Sequence, residues 1–313
     1  MFGSIRKGNK RKMREPANKA INSRWKGILQ LLCDRTWVST LDVMSLFIPN
    51  LKYCRRVMAE LCRRNFVKQV LCPLDSLKGP GLGFYGLLLE GERLINPNRF
   101  QHREPRPPTS TNLHHYSIIN AFLTGFQVLA KQNAGLVVNT MSEKQVRSHN
   151  GFQSEFHRRS SGATNAYFAI PDFVFAIGDG VGKSLFFGEA DTCSENLSFS
   201  AATSKTIANK FKTFSAYKEL EMHEFFAGFF EYEFSGFTYL HVTTGDENRL
   251  KHLVQLCRQI GGLEDVLLTT ADRILPERSW NEKGELTLSY DRLIAPVWIR
   301  VGDASGKRSS LLE

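Results

Sequence analysis

Two short apolar runs on either side of a glycine-rich turn constrain this chain more than any other feature. Residues 173–177 read FVFAI and residues 184–191 read SLFFGEAD, both rich in β-formers, with Gly178-Asp-Gly-Val-Gly-Lys183 as a turn signal between them. The pattern predicts an antiparallel hairpin in which Asp172 opens the first strand and Glu189 and Asp191 close the second. Residues two apart on a strand point to the same side, so Glu189 and Asp191 are expected on one face with Ala190 turned away. The start of the first strand lies beside the end of the second, which brings Asp172 to that pair. Acids gathered at one end of an apolar hairpin repel one another, and burying them without partners is costly. A single Asp there would simply be solvated. For Pro171-Asp172 facing Glu-x-Asp, the favoured answer is a divalent cation held by Asp172, Glu189 and Asp191, and hard carboxylate oxygens suit Mg2+ or Mn2+. Such an ion polarises a phosphoryl oxygen and activates a bound water.

Charge divides the chain. Residues 1–110 hold 21 Lys and Arg against eight Asp and Glu, whereas residues 111–313 hold 20 against 23. A basic module joined to a slightly acidic one directs the first towards a polyanion. Residues 1–22 read as a basic flexible arm suited to DNA phosphates, and they lack the Trp, Phe and Leu face of a helix that lies on a membrane. Residues 23–95 follow the order helix, helix, basic helix, strand, turn, strand, which predicts a winged helix-turn-helix. Ser39 is a candidate N-cap for the second helix, which ends before Pro49. The third helix starts at Leu51, with Leu51, Cys54, Val57, Met58 and Leu61 on one face; Lys52, Arg55, Arg56 and Arg63 are the residues expected nearest double-stranded DNA. A winged helix used only for protein contacts is the alternative, and the basic balance favours DNA.

Residues 96–112 hold four prolines and read as a stiff linker. The second domain is expected over 113–300, with alternating helices and strands, and 301–313 reads as a loose tail. A chain of 313 residues is about right for two domains. No stretch reaches the ~18 uncharged apolar residues of a membrane helix. The basic start has no apolar core behind it and does not read as a secretory signal. Six cysteines without a Cys-x-x-Cys pair fit reduced thiols in a cytoplasmic protein rather than a zinc site. Three further features have plain readings. His114-His115 are adjacent on a helix and about 100° apart, so one is expected at the surface and one in packing. Gly178 to Ser184 lacks the spacing of a phosphate-binding loop and is a hairpin turn. Phe225 to Phe230 is an aromatic run expected in the core, or a partner surface where exposed.

Pro171-Asp172 followed by Glu189-Ala190-Asp191 resembles the PD-(D/E)xK nuclease core, and the surrounding sequence resembles the plasmid replication-relaxation family. In that family a winged helix precedes a PD…E-x-D-x-x-x-E strand and a helix carrying Lys and aromatics. Glu189, Asp191 and Glu195 stand at that spacing, followed by Lys210, Phe214 and Tyr217. The resemblance implies an α/β (α+β) chain, with a winged helix-turn-helix followed by a restriction-endonuclease-like mixed-sheet domain. It implies plasmid mobilisation or replication, with DNA nicked or relaxed by metal-dependent phosphodiester hydrolysis or transfer. Asp172 and Glu189 would bind the ion, and Asp191 would add a ligand or orient water. Lys210, or less favourably Lys212, would offset phosphate charge from the following helix. Glu155 and Glu195 would be accessory, and Tyr217 the alternative nucleophile of a covalent mechanism. Two departures stand out: Asp191 occupies the usual lysine position, and Glu-Ala-Asp-Thr-Cys-Ser-Glu lacks the family's Arg and Gly. They leave open a non-enzymatic regulator of plasmid replication or transfer built on an inactive nuclease-like fold. A homodimer or a transfer or replication helper protein is the expected further partner.

Overall fold

The computed structural model describes residues 21–71, 83–97, 105–149, 151–160, 168–178, 182–193, 195–197 and 206–312. The basic arm up to residue 20, the Pro/Gly-rich turn at 72–82 and the hairpin turn at 179–181 lie outside the described residues.

The first unit is built by its caps and apolar faces. Helix α1 (Ser23–Asp34) starts where the Asn22 side chain accepts from the Trp25 amide, and it buries Ile28, Leu29 and Leu32. A short strand β1 (Val38–Ser39) leads into α2 (Thr40–Leu46), whose N-terminus is closed by a capping box between Ser39 and Asp42. Helix α3 (Leu51–Arg63) turns Cys54, Val57, Met58 and Leu61 inward and leaves Lys52, Arg55, Arg56 and Arg63 exposed. Strands β2 (Val67–Leu71) and β3 (Gly83–Leu87) pair antiparallel, β1 joins the other edge of β3, and α4 (Leu89–Ile95) closes the unit. Three helices with a three-stranded sheet ordered β1-β3-β2 make a winged helix-turn-helix, as the apolar periodicity predicts.

The second unit opens with α5 (Ser110–Gln132), followed by β4 (Val137–Ser142), α6 (Glu143–Ser148), α7 (Gly151–Arg159), β5 (Phe173–Gly178) and β6 (Lys183–Asp191). Next come α8 (Ile207–Glu219), α9 (Ala227–Phe230), β7 (Thr238–Thr243), α10 (Glu247–Ile260), β8 (Leu267–Thr270), β9 (Glu277–Trp280), β10 (Leu286–Ser289), β11 (Trp298–Arg300) and β12 (Arg308–Ser309). Seven strands form one mixed sheet ordered β12-β11-β8-β7-β6-β5-β4, in which β4, β5 and β6 are an antiparallel meander and β6, β7 and β8 run parallel. Helix, meander, helix and parallel strand make this a mixed-sheet α/β domain, as expected. Alternate residues of β5 and β6 feed two cores. Val174, Ala176, Leu185 and Phe187 pack under α7, α8 and α10, while Phe173, Phe175 and Phe186 pack under α5. Strands buried on both faces read as continuous apolar runs, which is why FVFAI and SLFF show no polar alternation.

The described residues of the expected loose tail, 301–312, are held in place. Strand β12 pairs with β11, and Leu311 is buried against the α5-side core. Covering β11 satisfies backbone groups that an open sheet edge would leave unpaired. Phe226 and Phe230 are buried as expected, but Phe229 is exposed. No helix among the described residues is long and apolar enough to cross a membrane.

Helix α5 also joins the two units. Buried Arg35 donates to Thr124 Oγ1 at 2.7 Å and to Asn120 Oδ1 at 3.4 Å, Thr124 donates to Asp42 Oδ1 at 2.9 Å, and Asn120 donates to the Trp37 carbonyl at 2.8 Å. Burial works against the Arg35 charge, and Asp42 is the principal group offsetting it. Leu113 of α5 and Leu286 of β10 sit in the winged-helix core.

Candidate active site

The carboxylates are placed by register. Phe173 pairs with Gly188 in the β5–β6 ladder, so the residue before β5 falls beside Glu189. Asp172 is buried there, and its Oδ2 accepts from the Ala190 amide at 2.8 Å. Glu189 is also buried; its Oε1 forms an ion pair with the Lys210 ammonium, which reaches in from α8. The same ammonium lies 3.0 Å from Glu195 Oε1, in the connection after β6. Thr206 caps α8 by accepting from the Asn209 amide, and Ile207, Phe211 and Phe214 bury the helix beneath the sheet, which aims Lys210 at the end of β6. Glu189 Oε2 and Glu195 Oε2 are buried and have no hydrogen-bond partner.

Asp191 shares the face of Glu189, as strand alternation requires, but it has different neighbours. Its Oδ2 accepts from Arg249 Nε of α10 at 2.8 Å and from Thr243 Oγ1 at 2.9 Å, and its Oδ1 accepts from the Cys193 amide at 2.8 Å. The fully buried His241 ring lies 3.9 Å from Oδ2. Arg249 also donates to the Glu195 carbonyl at 3.1 Å, so Asp191 and Arg249 together anchor the segment that carries Glu195. Sharing a strand face is therefore not the same as sharing partners. Asp172, Glu189, Glu195 and Lys210 converge; Asp191 lines the same cavity, but its oxygens accept from an arginine, a hydroxyl and an amide.

The sequence reading missed His115. It lies on α5, with Nε2 3.3 Å from Asp172 Oδ1 and Nδ1 2.9 Å from the Ala190 carbonyl. Periodicity along α5 marks it only as a residue beside an apolar stripe, and nothing local signals that α5 crosses the end of β6.

The ionisation pattern follows from burial and proximity. Burial, and then neighbouring Asp172, raise the Glu189 carboxyl to about 8. Burial would also raise Asp172, but His115 and then Lys210 hold it below the usual carboxylate range. Burial opposes charge on His115, yet Asp172 and Glu189 raise its imidazole to about 9. Lys210 is raised by Glu189, Asp172 and Glu195 against its own burial and is an ammonium at neutral pH. For Asp191, burial is outweighed by His241 and Arg249, and the carboxyl stays well below its ordinary value.

Of these groups His115, Asp172, Asp191 and Lys210, with Tyr116, Glu143 and Glu195, line an open polar cavity of about 300 Å³, and buried Glu189 adjoins it through its ion pair with Lys210. A larger cavity of about 560 Å³ sits at the opposite end of the β5–β6 ladder and is lined by no titratable side chain among the described residues. Among the described residues, no three acidic, His or Cys side chains are gathered closely enough to form a complete metal cluster. Mg2+ does not need one, because it is commonly held by one or two carboxylates and completes its shell with water and substrate phosphate.

The remaining candidates lie elsewhere. Glu155 on α7 is paired with Arg158 and Arg159, outside the cavity. Tyr217 on α8 is fully buried, and its hydroxyl donates to the Ala169 carbonyl. Lys212 is exposed. On α3, Arg63 is engaged by Glu60 at 2.6 Å, and Arg64 pairs with the same acid while stacking over Trp25 at 4.8 Å.

A winged helix-turn-helix fused to a mixed-sheet domain, with paired acids and a lysine at a strand end, defines a class of two-unit α/β proteins. Within it, this chain belongs to the replication-relaxation family, which matches residues 29–231. No curated protein matches the chain. Among solved structures it is similar to the restriction endonuclease FokI bound to DNA, at 11% identity and a TM-score of 0.22, over 81% of this chain and 43% of that one. The family match alone places the chain.

Proposed function

We propose that this protein binds double-stranded plasmid DNA through α3 and its basic N-terminal arm and nicks one strand at the Asp172–Glu189 site. The observation that carries this reading is the meeting of Asp172, Glu195 and Lys210 at an open polar cavity, with buried Glu189 paired to Lys210 and with Glu189 Oε2 and Glu195 Oε2 buried and unpartnered. Two hard oxygens without a donor fit a divalent cation of the Mg2+ or Mn2+ kind. Asp172 and Glu189 would hold it, with Glu195 beside them on the same Lys210 ammonium. When bound, such an ion supplies charge to the scissile phosphate and lowers the pKa of water. Lys210 presents an ammonium to the non-bridging phosphate oxygens, where negative charge grows in the transition state. Asp191 serves by fixing the Glu195 segment through Arg249 rather than by ligation. Exposed Lys52, Arg55 and Arg56 supply phosphate and base-edge donors on the recognition helix.

The test is conversion of supercoiled plasmid to the open-circular form in Mg2+ or Mn2+, comparing the wild type with Glu189→Ala. Loss of nicking in the variant supports the enzyme. A second reading, a DNA-binding regulator without cleavage, is favoured by one observation: His115 and Lys210 already place cations on Asp172 and Glu189. Tight footprinting with no nicking on any origin-bearing plasmid would select it.

A further inference from the structure

We infer that His115 is a positioning residue that fixes the Asp172 carboxylate in the orientation a divalent cation needs. This rests on the proposed cation site. The geometry is a closed circuit. The Ala190 amide donates to Asp172 Oδ2 at 2.8 Å, His115 Nε2 meets Asp172 Oδ1 at 3.3 Å, and His115 Nδ1 lies 2.9 Å from the Ala190 carbonyl. A carbonyl only accepts, so Nδ1 carries a hydrogen and the ring orientation is set by the main chain of β6. One edge of the carboxylate is thereby tied at both oxygens. A carboxylate offers about four lone-pair positions, so two remain for a cation after these contacts. Without the ring, Asp172 would keep one amide bond and could rotate about it.

The origin of His115 matters as well. It is the one group in this circuit that neither belongs to nor directly adjoins the β5–β6 ladder. Its helix is held against the winged helix by Asn120 and Thr124, a little over one and two turns further on. Groups that hold metal ligands from behind are typically worth about 10–100-fold in metal affinity.

The experiment is calorimetric titration of the metal-free full-length protein with Mn2+ alone, using wild type, His115→Ala, His115→Gln, His115→Asn and Asp172→Ala. Melting curves confirm that each variant is folded. A Gln amide reaches the place of Nε2, against Asp172, whereas an Asn amide reaches only that of Nδ1, against Ala190. The expected result is Mn2+ affinity about 10–100-fold weaker in His115→Ala, with Gln restoring more of it than Asn. Nicking should fall in kcat with the DNA KM unchanged. A purely structural role predicts the reverse order, Asn at least as good as Gln, and that order overturns the inference. So does wild-type Mn2+ affinity in His115→Ala while Asp172→Ala loses binding, an outcome that leaves the cation site standing. If Asp172→Ala binds Mn2+ as the wild type does, the site itself is wrong and the inference falls with it.

Discussion

Asp42→Ala is expected to destabilise the whole chain, not only the winged helix in which it lies. The Asp42 carboxylate accepts from the Ser39 amide at 2.8 Å, the Ser39 hydroxyl at 2.6 Å and the Thr124 hydroxyl at 2.9 Å. Thr124 in turn accepts from Arg35 at 2.7 Å. Truncation breaks the capping box of α2, worth about 1 kcal/mol. It also leaves the buried Arg35 guanidinium without its main compensating charge, a change that typically costs about 3–5 kcal/mol. The sum, on the order of 4–6 kcal/mol, is a large share of the ~5–15 kcal/mol by which domains are stable. Asp42→Asn keeps an acceptor for Thr124 but removes the same charge, so it should recover only the hydrogen-bond share of the loss, about 0.5–1.5 kcal/mol. Urea unfolding, followed by Trp fluorescence and by circular dichroism, measures both. Arg35→Met removes the orphaned charge, so Asp42→Ala in that background should cost less than in wild type, with a coupling of about 0.5–3 kcal/mol. A loss below about 1 kcal/mol in Asp42→Ala, or no coupling to Arg35, would refute the reasoning, because the cap alone explains a loss that small.

Stability of the metal-free protein should fall as pH rises. The Glu189 carboxyl, raised from 4.5 to about 8, favours the folded state fully below pH 4.5 and loses that contribution as pH climbs to 8. His115, raised from 6.5 to about 9, loses its contribution between those values, so both slopes have the same sign from pH 6.5 to 8. Melting in chelator at pH 6 and pH 9 should show the decline and Glu189→Gln should flatten it; an unchanged slope in that variant would remove Glu189 as the cause. Tyr217→Phe should leave nicking intact and cost about 0.5–1.5 kcal/mol for the lost hydrogen bond to Ala169; abolished nicking would make Tyr217 the nucleophile after all. Arg55→Ala should weaken DNA binding on all sequences and reduce the salt slope by roughly 0.9 if it meets a phosphate, while Arg63→Ala, already engaged by Glu60, should matter less. Equal losses from the two, by fluorescence anisotropy across salt, would contradict that ranking.

Much of the architecture was legible because it depends on local rules. The helix over 23–34 follows the spacing of Trp25, Ile28, Leu31 and Leu32, and the second helix begins at its Ser39 cap. The hairpin follows from two β-rich runs and a turn, and hairpin register alone carries Asp172 to Glu189. Lys210 was found through the family's spacing, and the α8 ion pair accounts for its position. The strands β9 to β12 went unread because short, half-exposed segments have weak patterns and are held mainly by the sheet or turn they complete.

From its sequence alone this chain determined a basic winged helix, a doubly buried hairpin and the strand face shared by Glu189 and Asp191, since all three arise from residues close together along the backbone. Tertiary structure alone decided which partner each acid takes. Arg249, 58 residues beyond Asp191, pairs with that carboxylate, while His115, 57 residues before Asp172, takes hold of the other. Periodicity reports which way a side chain points, but a charge is settled by the partner that folding brings to it, and those partners come from α5 and α10, which meet the sheet only once the cores have closed.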